Sequence, residues 1–96
     1  MEFKLQTLHF NATEKLVAYI DKKVAKLEKY EDIVRCELTL KVVKPESARN
    51  KEANIHVALA GRTLHAEKVA DTFEEAVDQC VDVVRRELSE MKENRG

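Results

Sequence analysis

The stretch Ala53-Asn54-Ile55-His56-Val57-Ala58-Leu59-Ala60-Gly61-Arg62-Thr63-Leu64-His65-Ala66-Glu67 contains two strands and the turn that joins them. Ala53, Ile55, Val57 and Leu59 alternate with Asn54, His56, Ala58 and Ala60, the pattern of a strand with one face toward a core. Gly61-Arg62 fits a two-residue hairpin turn with glycine first. That turn pairs Leu59 with Leu64, Val57 with Ala66, Ala58 with His65 and His56 with Glu67. The apolar pairs share a face, and a slip of one residue would mix the faces. In this register His56 and His65 stand diagonal to each other on the outer face.

Working upstream, Val34, Cys36, Leu38, Leu40 and Val42 alternate with Arg35, Glu37, Thr39 and Lys41, which predicts another half-buried strand. Pro45 breaks it, and residues 45–52 read as a polar loop. Phe3, Leu5 and Thr7 alternate with Glu2, Lys4 and Gln6, a short first strand. Between these strands Leu16, Val17, Ile20, Val24 and Leu27 recur at helical spacing. Asn11 or Thr13 can cap that helix, with Glu14 three residues after Asn11 as in a capping box. It is expected to end near Tyr30. Downstream, Thr72 and Glu75 form a second capping box. The helix they open carries Phe73, Ala76, Val77, Cys80, Val81, Val84, Leu88 and Met91 on one stripe and should run to about residue 93. The tail Asn94-Arg95-Gly96 is expected to fray.

The element order is therefore β-α-β-β-β-α. A helix carrying the chain between the first two strands suggests a right-handed parallel crossover, and the last three strands form an antiparallel meander. Each helix has one apolar stripe and the strands one apolar face. The economical packing is a two-layer α/β (α+β) domain, a four-stranded mixed sheet with both helices on one face. Ninety-six residues make one domain, 1–96.

Composition narrows the function classes. There are 17 Lys+Arg against 18 Asp+Glu, a net charge of −1, so bulk charge predicts no polyanion partner. No apolar run approaches the length of a membrane span, and the start lacks the apolar core of a signal peptide, so no membrane partner and a cytoplasmic location are expected. Cys36 and Cys80 fall on apolar positions and read as buried, inert thiols. There is no glycine-rich phosphate loop, nucleophile motif or metal-ligand spacing, so neither an enzyme, a small-molecule substrate, a cofactor nor a metal is expected. His56, His65 and Glu67 could be drawn as a two-histidine, one-carboxylate site. Their spacing matches no standard site, which favours an ordinary polar sheet face.

Charge is sorted on the first helix. Lys15, Lys22 and Lys29 recur every seven residues, with Lys23 and Lys26 beside them; Glu14, Asp21 and Glu28 recur one residue out of phase. Helical spacing sends lysines to one flank and acids to the other. A local field of this kind can attract phosphates despite neutral bulk charge; a solvated helix edge explains the same pattern. On the second helix Arg85 and Lys92 share a flank, while Arg86 projects near Glu90. The aromatic residues fall at core or core-edge positions, so stacking on single-stranded bases is a poor fit. RNA, if bound, would be held by its backbone and shape.

The order of elements resembles a double-stranded RNA-binding domain with an added N-terminal strand. Local strings go further. Val24-Ala25-Lys26-Leu27-Glu28-Lys29-Tyr30 resembles the end of the first helix in ribosome hibernation promoting factors, a family that includes ribosome-associated inhibitor A and proteins called sigma-factor modulators. Leu64-His65-Ala66 is similar to its fourth-strand signature, and Phe73-Glu74-Glu75-Ala76-Val77-Asp78 with Arg86-Glu87-Leu88 to its second helix. The resemblance runs from Met1 to about Lys92. It implies a non-enzymatic translation inhibitor that binds the small ribosomal subunit and its rRNA in the channel for messenger and transfer RNA, and keeps ribosomes idle in starvation or stationary phase. It implies the short type, which assists or opposes ribosome pairing alongside a separate dimerising factor. By position, Lys23, Lys26 and Arg86 match the family's basic residues, while the C-terminus departs from the lysine-rich tail of many relatives. The expected RNA-binding set is Lys22, Lys23, Lys26, Lys29, Lys41, Arg85, Arg86 and Lys92. The alternative is a protein-interaction module that uses the outer sheet face.

Overall fold

The computed structural model describes residues 1–30, 32–44 and 48–94, with residues 92–94 described by their helical backbone alone. Its elements are β1 (Glu2–Leu8), α1 (Glu14–Ala25), β2 (Ile33–Val42), β3 (Lys51–Leu59), β4 (Arg62–Ala70) and α2 (Phe73–Asn94). The predicted order β-α-β-β-β-α is the observed one. The sheet runs β1-β2-β3-β4, with β1 parallel to β2 and the other pairs antiparallel.

Alternation places one apolar row from each strand toward the helices. Leu38, Leu40, Ile55 and Val57 from the sheet join Ile20, Leu27, Val77, Val84 and Cys80 in one core, all fully buried. Both helices pack their stripes into that core, so the sheet has a covered inner face and an open outer face. Each helix start is capped as its sequence asks. The Leu16 amide donates to Thr13 Oγ1 at 3.1 Å, making Thr13, not Asn11, the cap of α1. The Glu75 amide donates to Thr72 Oγ1, also at 3.1 Å.

Three local expectations are corrected. The hairpin turn is Ala60-Gly61, not Gly61-Arg62: Leu59 pairs with Arg62, Val57 with Leu64 and Ile55 with Ala66. Gly61 sits at φ +78°, a left-handed value that glycine adopts freely. The observed register differs from the expected one by two residues, which leaves every side chain on its expected face. His56 is consequently opposite His65, and Glu67 is opposite Asn54.

In β2 the register shifts between Ile33 and Arg35. This bulge turns Ile33 into the core and leaves Val34 61% exposed, reversing the expected alternation at that end. Third, β3 begins at Lys51, so Lys51 and Glu52 belong to the sheet and not to the loop. The Val43 amide reaches the Asn50 carbonyl at 2.8 Å, extending the pairing past the strand ends. Pro45, which opens the expected loop, and the tail residues Arg95 and Gly96 lie outside the described residues.

Candidate nucleic-acid interface

Regular α-helix stops at Ala25, earlier than expected. The chain then winds on through short i→i−3 bonds: Lys26 to Lys23 at 3.2 Å, Leu27 to Val24 at 2.9 Å, Glu28 to Ala25 at 3.2 Å and Tyr30 to Leu27 at 3.0 Å. Leu27 is fully buried and anchors this tighter turn. Lys22, Lys23, Lys26 and Lys29 thus gather at the C-terminal end of α1, where the helix dipole is negative and favours cations. This placement needs no ligand to explain it; the neighbours of each lysine carry more information.

Lys23 reaches across to α2. Its Nζ lies 2.7 Å from Asp78 Oδ1 and 5.4 Å from the centre of the Tyr19 ring. The hydrogen bond it donates to the Asp78 carboxylate holds its ammonium above the usual lysine range. Lys26 is exposed and has the opposite environment. The adjacent Lys23 charge lowers its pKa, with desolvation and Arg85 adding to the effect. Arg85, from α2, is partly buried, and its Nε has no hydrogen-bond partner among the described residues.

Tyr30 ties these cations together. Its hydroxyl lies 3.4 Å from Ser89 Oγ, and the Lys29 Nζ stands 5.4 Å above its ring. The Ser89 hydrogen bond, then the charges of Lys29 and Arg85, pull the phenol below its ordinary range against desolvation. Lys29 and Arg85 therefore act on one aromatic at the seam between α1 and α2, Lys26 is coupled to it through Arg85, and none of the three forms an ion pair among the described residues. Lys22 lies on the exposed side of α1 beside them. Such an arrangement is suited to accept anionic oxygens, which would relieve the mutual repulsion of its cations.

The remaining expected residues lie elsewhere. Arg86 is exposed and pairs with Asp82 at 3.0 Å, one turn back, and not with Glu90. Lys41 stands on the outer sheet face, 3.2 Å from Glu52, and is not brought together with the α1 lysines. The side chain of Lys92 lies outside the described residues. Glu14, Asp21 and Glu28 are all exposed, as the acidic flank predicts. Sequence reasoning missed Asp78, Tyr30 and Ser89 as members of the site. Their roles arise from contacts between elements, for which single-helix spacing gives no signal.

Both thiols are buried, with pKa values pushed up to about 11 by desolvation. At neutral pH they are protonated and poor nucleophiles. No described helix is long and apolar enough to cross a membrane.

Comparison with known proteins agrees with this architecture. Over residues 3–95 the chain matches the family described as Sigma 54 modulation protein / S30EA ribosomal protein. Among solved structures it is similar to the Protein Y N-terminal domain of Thermus thermophilus, with 24% identity, a TM-score of 0.78, and 95% of this chain and 99% of that one covered. It is also similar to a ribosomal subunit interface protein from Coxiella burnetii, with 19% identity, a TM-score of 0.82, and 96% and 98% covered. At these identities the two structures attest the fold. No curated protein sequence matches. The match over residues 3–95 places this chain in the Sigma 54 modulation protein / S30EA ribosomal protein family, a family of ribosome-associated binding factors and not of enzymes.

Proposed function

We propose that the chain binds the small ribosomal subunit in the cytoplasm, in the channel used by messenger and transfer RNA, and holds ribosomes idle by occluding it. Residues 1–96 act as one binding unit. The observation that carries this reading is the α1–α2 seam, where Lys29 and Arg85 act on Tyr30, Lys26 lies in the field of Lys23 and Arg85, and none of Lys26, Lys29 and Arg85 forms an ion pair among the described residues. Lys22 and Lys23 border the seam, and Arg86 extends it along α2. Phosphate oxygens of rRNA supply the missing anions, and the protein reads backbone position more than base identity. Lys41, paired on the other face, is left out of this contact surface.

The test is co-sedimentation with small subunits through a sucrose gradient at several salt concentrations. Binding should weaken steeply with salt, because each neutralised phosphate releases condensed counterions. A complex indifferent to salt would contradict a phosphate-based contact. A ribosome profile from the same gradients shows whether ribosomes are paired or only silenced. The outer sheet face finds less support as a protein-docking surface, because Arg35 pairs there with Glu37 and Lys41 with Glu52.

A further inference from the structure

The lysines of this chain differ in what holds their ammonium groups. Lys23 pairs with Asp78 at 2.7 Å and Lys41 with Glu52 at 3.2 Å. Lys51 donates to Asn50 Oδ1 at 2.6 Å and stands 5.9 Å from the centre of the Phe73 ring. Lys26 has the reverse surroundings. It is exposed and forms no ion pair among the described residues. The Lys23 ammonium stands within hydrogen-bonding reach of it, and Arg85 adds a further positive charge. Asp78, the carboxylate that also acts on it, is engaged by Lys23.

The local backbone fixes this amine at the surface. Lys26 is the C-cap of α1, its N–H is bonded to the Lys23 and Val24 carbonyls, and Leu27 beside it is fully buried. An amine attacks only as the neutral base, and a neighbouring cation favours that form. The Lys23 charge, then desolvation and Arg85, act in this direction on Lys26, whereas the hydrogen bond to Asp78 acts the opposite way on Lys23. Arg85 and Lys29, which also lack an ion pair among the described residues, attract an incoming anion. An electrophile with a phosphate leaving group thus meets, in one place, a nucleophile and the charges that stabilise its departure.

We propose that Lys26 is an acylation site, modified by acyl phosphates without the help of an enzyme. The amine nitrogen attacks the acyl carbonyl carbon. The new C–N bond forms, the C–O bond to phosphate breaks, and inorganic phosphate leaves with that electron pair. Of the three ammonium protons, one stays on the amide nitrogen, one goes to the phosphate and one to water. The product is a neutral amide, so the seam loses a positive charge. The consequence for ribosomes rests on the seam being the rRNA contact: acylation of Lys26 then releases the chain from small subunits. The modification itself does not depend on that reading.

The full chain is incubated with acetyl phosphate near neutral pH, and acetylation of each lysine is followed by mass spectrometry of its peptides. Lys26 should react about threefold or more faster than Lys15 and Lys22, exposed lysines of the same helix, and Lys23 should lag behind all three. Lys23→Ala and Arg85→Gln should each slow Lys26 by about threefold and leave Lys15 unchanged. Equal rates at Lys15, Lys22 and Lys26 would overturn the site, as would an undiminished Lys26 rate in both variants. Lys26→Gln, neutral like the amide, should lower co-sedimentation with small subunits by about threefold or more, and Lys26→Arg should retain it. Full binding by Lys26→Gln would overturn the regulatory consequence. Failure of the unaltered chain to co-sediment would overturn the ribosome reading and leave the acetylation ranking standing.

Discussion

On the outer face of the sheet, Arg35 meets Glu37 and Lys41 meets Glu52. At the junction of the helices, Lys29 and Arg85 meet the Tyr30 ring, Lys26 meets the charges of Lys23 and Arg85, and of these cations only Lys23 forms an ion pair among the described residues. Arg35 and Lys41 are thus neutralised in one layer, while in the other Lys26 is left in repulsion with Lys23 and Arg85. A net charge of −1 hides this difference, because it averages a matched surface with an unmatched one. For a polyanion partner the local field matters and the sum does not.

The sharpest way to break the contrast is charge reversal in the helical layer. Lys22→Glu/Lys26→Glu/Lys29→Glu should reduce co-sedimentation with small subunits by about a hundredfold or more, and flatten its salt dependence, because three phosphate contacts become repulsions. The thermal midpoint should barely move, since these side chains are exposed. Retained co-sedimentation at moderate salt would remove the seam from the interface. Glu52→Ala should give the converse result. It strips Lys41 and Asn54 of their shared acceptor and should cost about 1 to 2 kcal/mol of stability, seen as a lower denaturant midpoint, with ribosome binding unchanged.

A subtler effect concerns the core shared by the two layers. Burial raises Cys36 and Cys80 from about 9 to about 11. Between those values the unfolded chain gives up thiol protons that the folded chain keeps, so stability should fall as pH rises from about 9 toward 11. Denaturant titrations across that range should show the slope, and a Cys36→Ala/Cys80→Ala variant should reduce it. The smallest expected change is in a single titration. Lys23→Ala removes the charge that depresses Lys26, so the Lys26 ammonium should titrate at higher pH by NMR. No movement would mean that the seam is less crowded than its geometry implies.

Local pattern carried most of the architecture, because burial on one face leaves period 2 in strands and 3.6 in helices. What it could not resolve has physical causes. The hairpin register was displaced by two residues, a slip that alternation cannot detect because each side chain keeps its face. Val34 and Ile33 are similar residues on neighbouring positions, so only the bulge decides which is buried. The lysines of α1 were legible as a group, since they lie on one element. That Lys23 is tied to Asp78 while Arg85 is not paired depends on how α1 meets α2, a long-range fact absent from either helix alone. Lys41 was grouped with them by charge, and the sheet holds it on the far side.

The bulge at Val34 has a consequence for how the sheet assembles. A strand that alternates perfectly can slide along its neighbour in two-residue steps without exposing its apolar row. A bulge interrupts that translational symmetry, and β2 is the strand that pairs with both β1 and β3. A two-residue slide of β3 would mismatch the ladder at the irregularity and lose hydrogen bonds there. The extra residue works as a tooth in a ratchet: it selects one alignment from a set that hydrophobic patterning leaves degenerate.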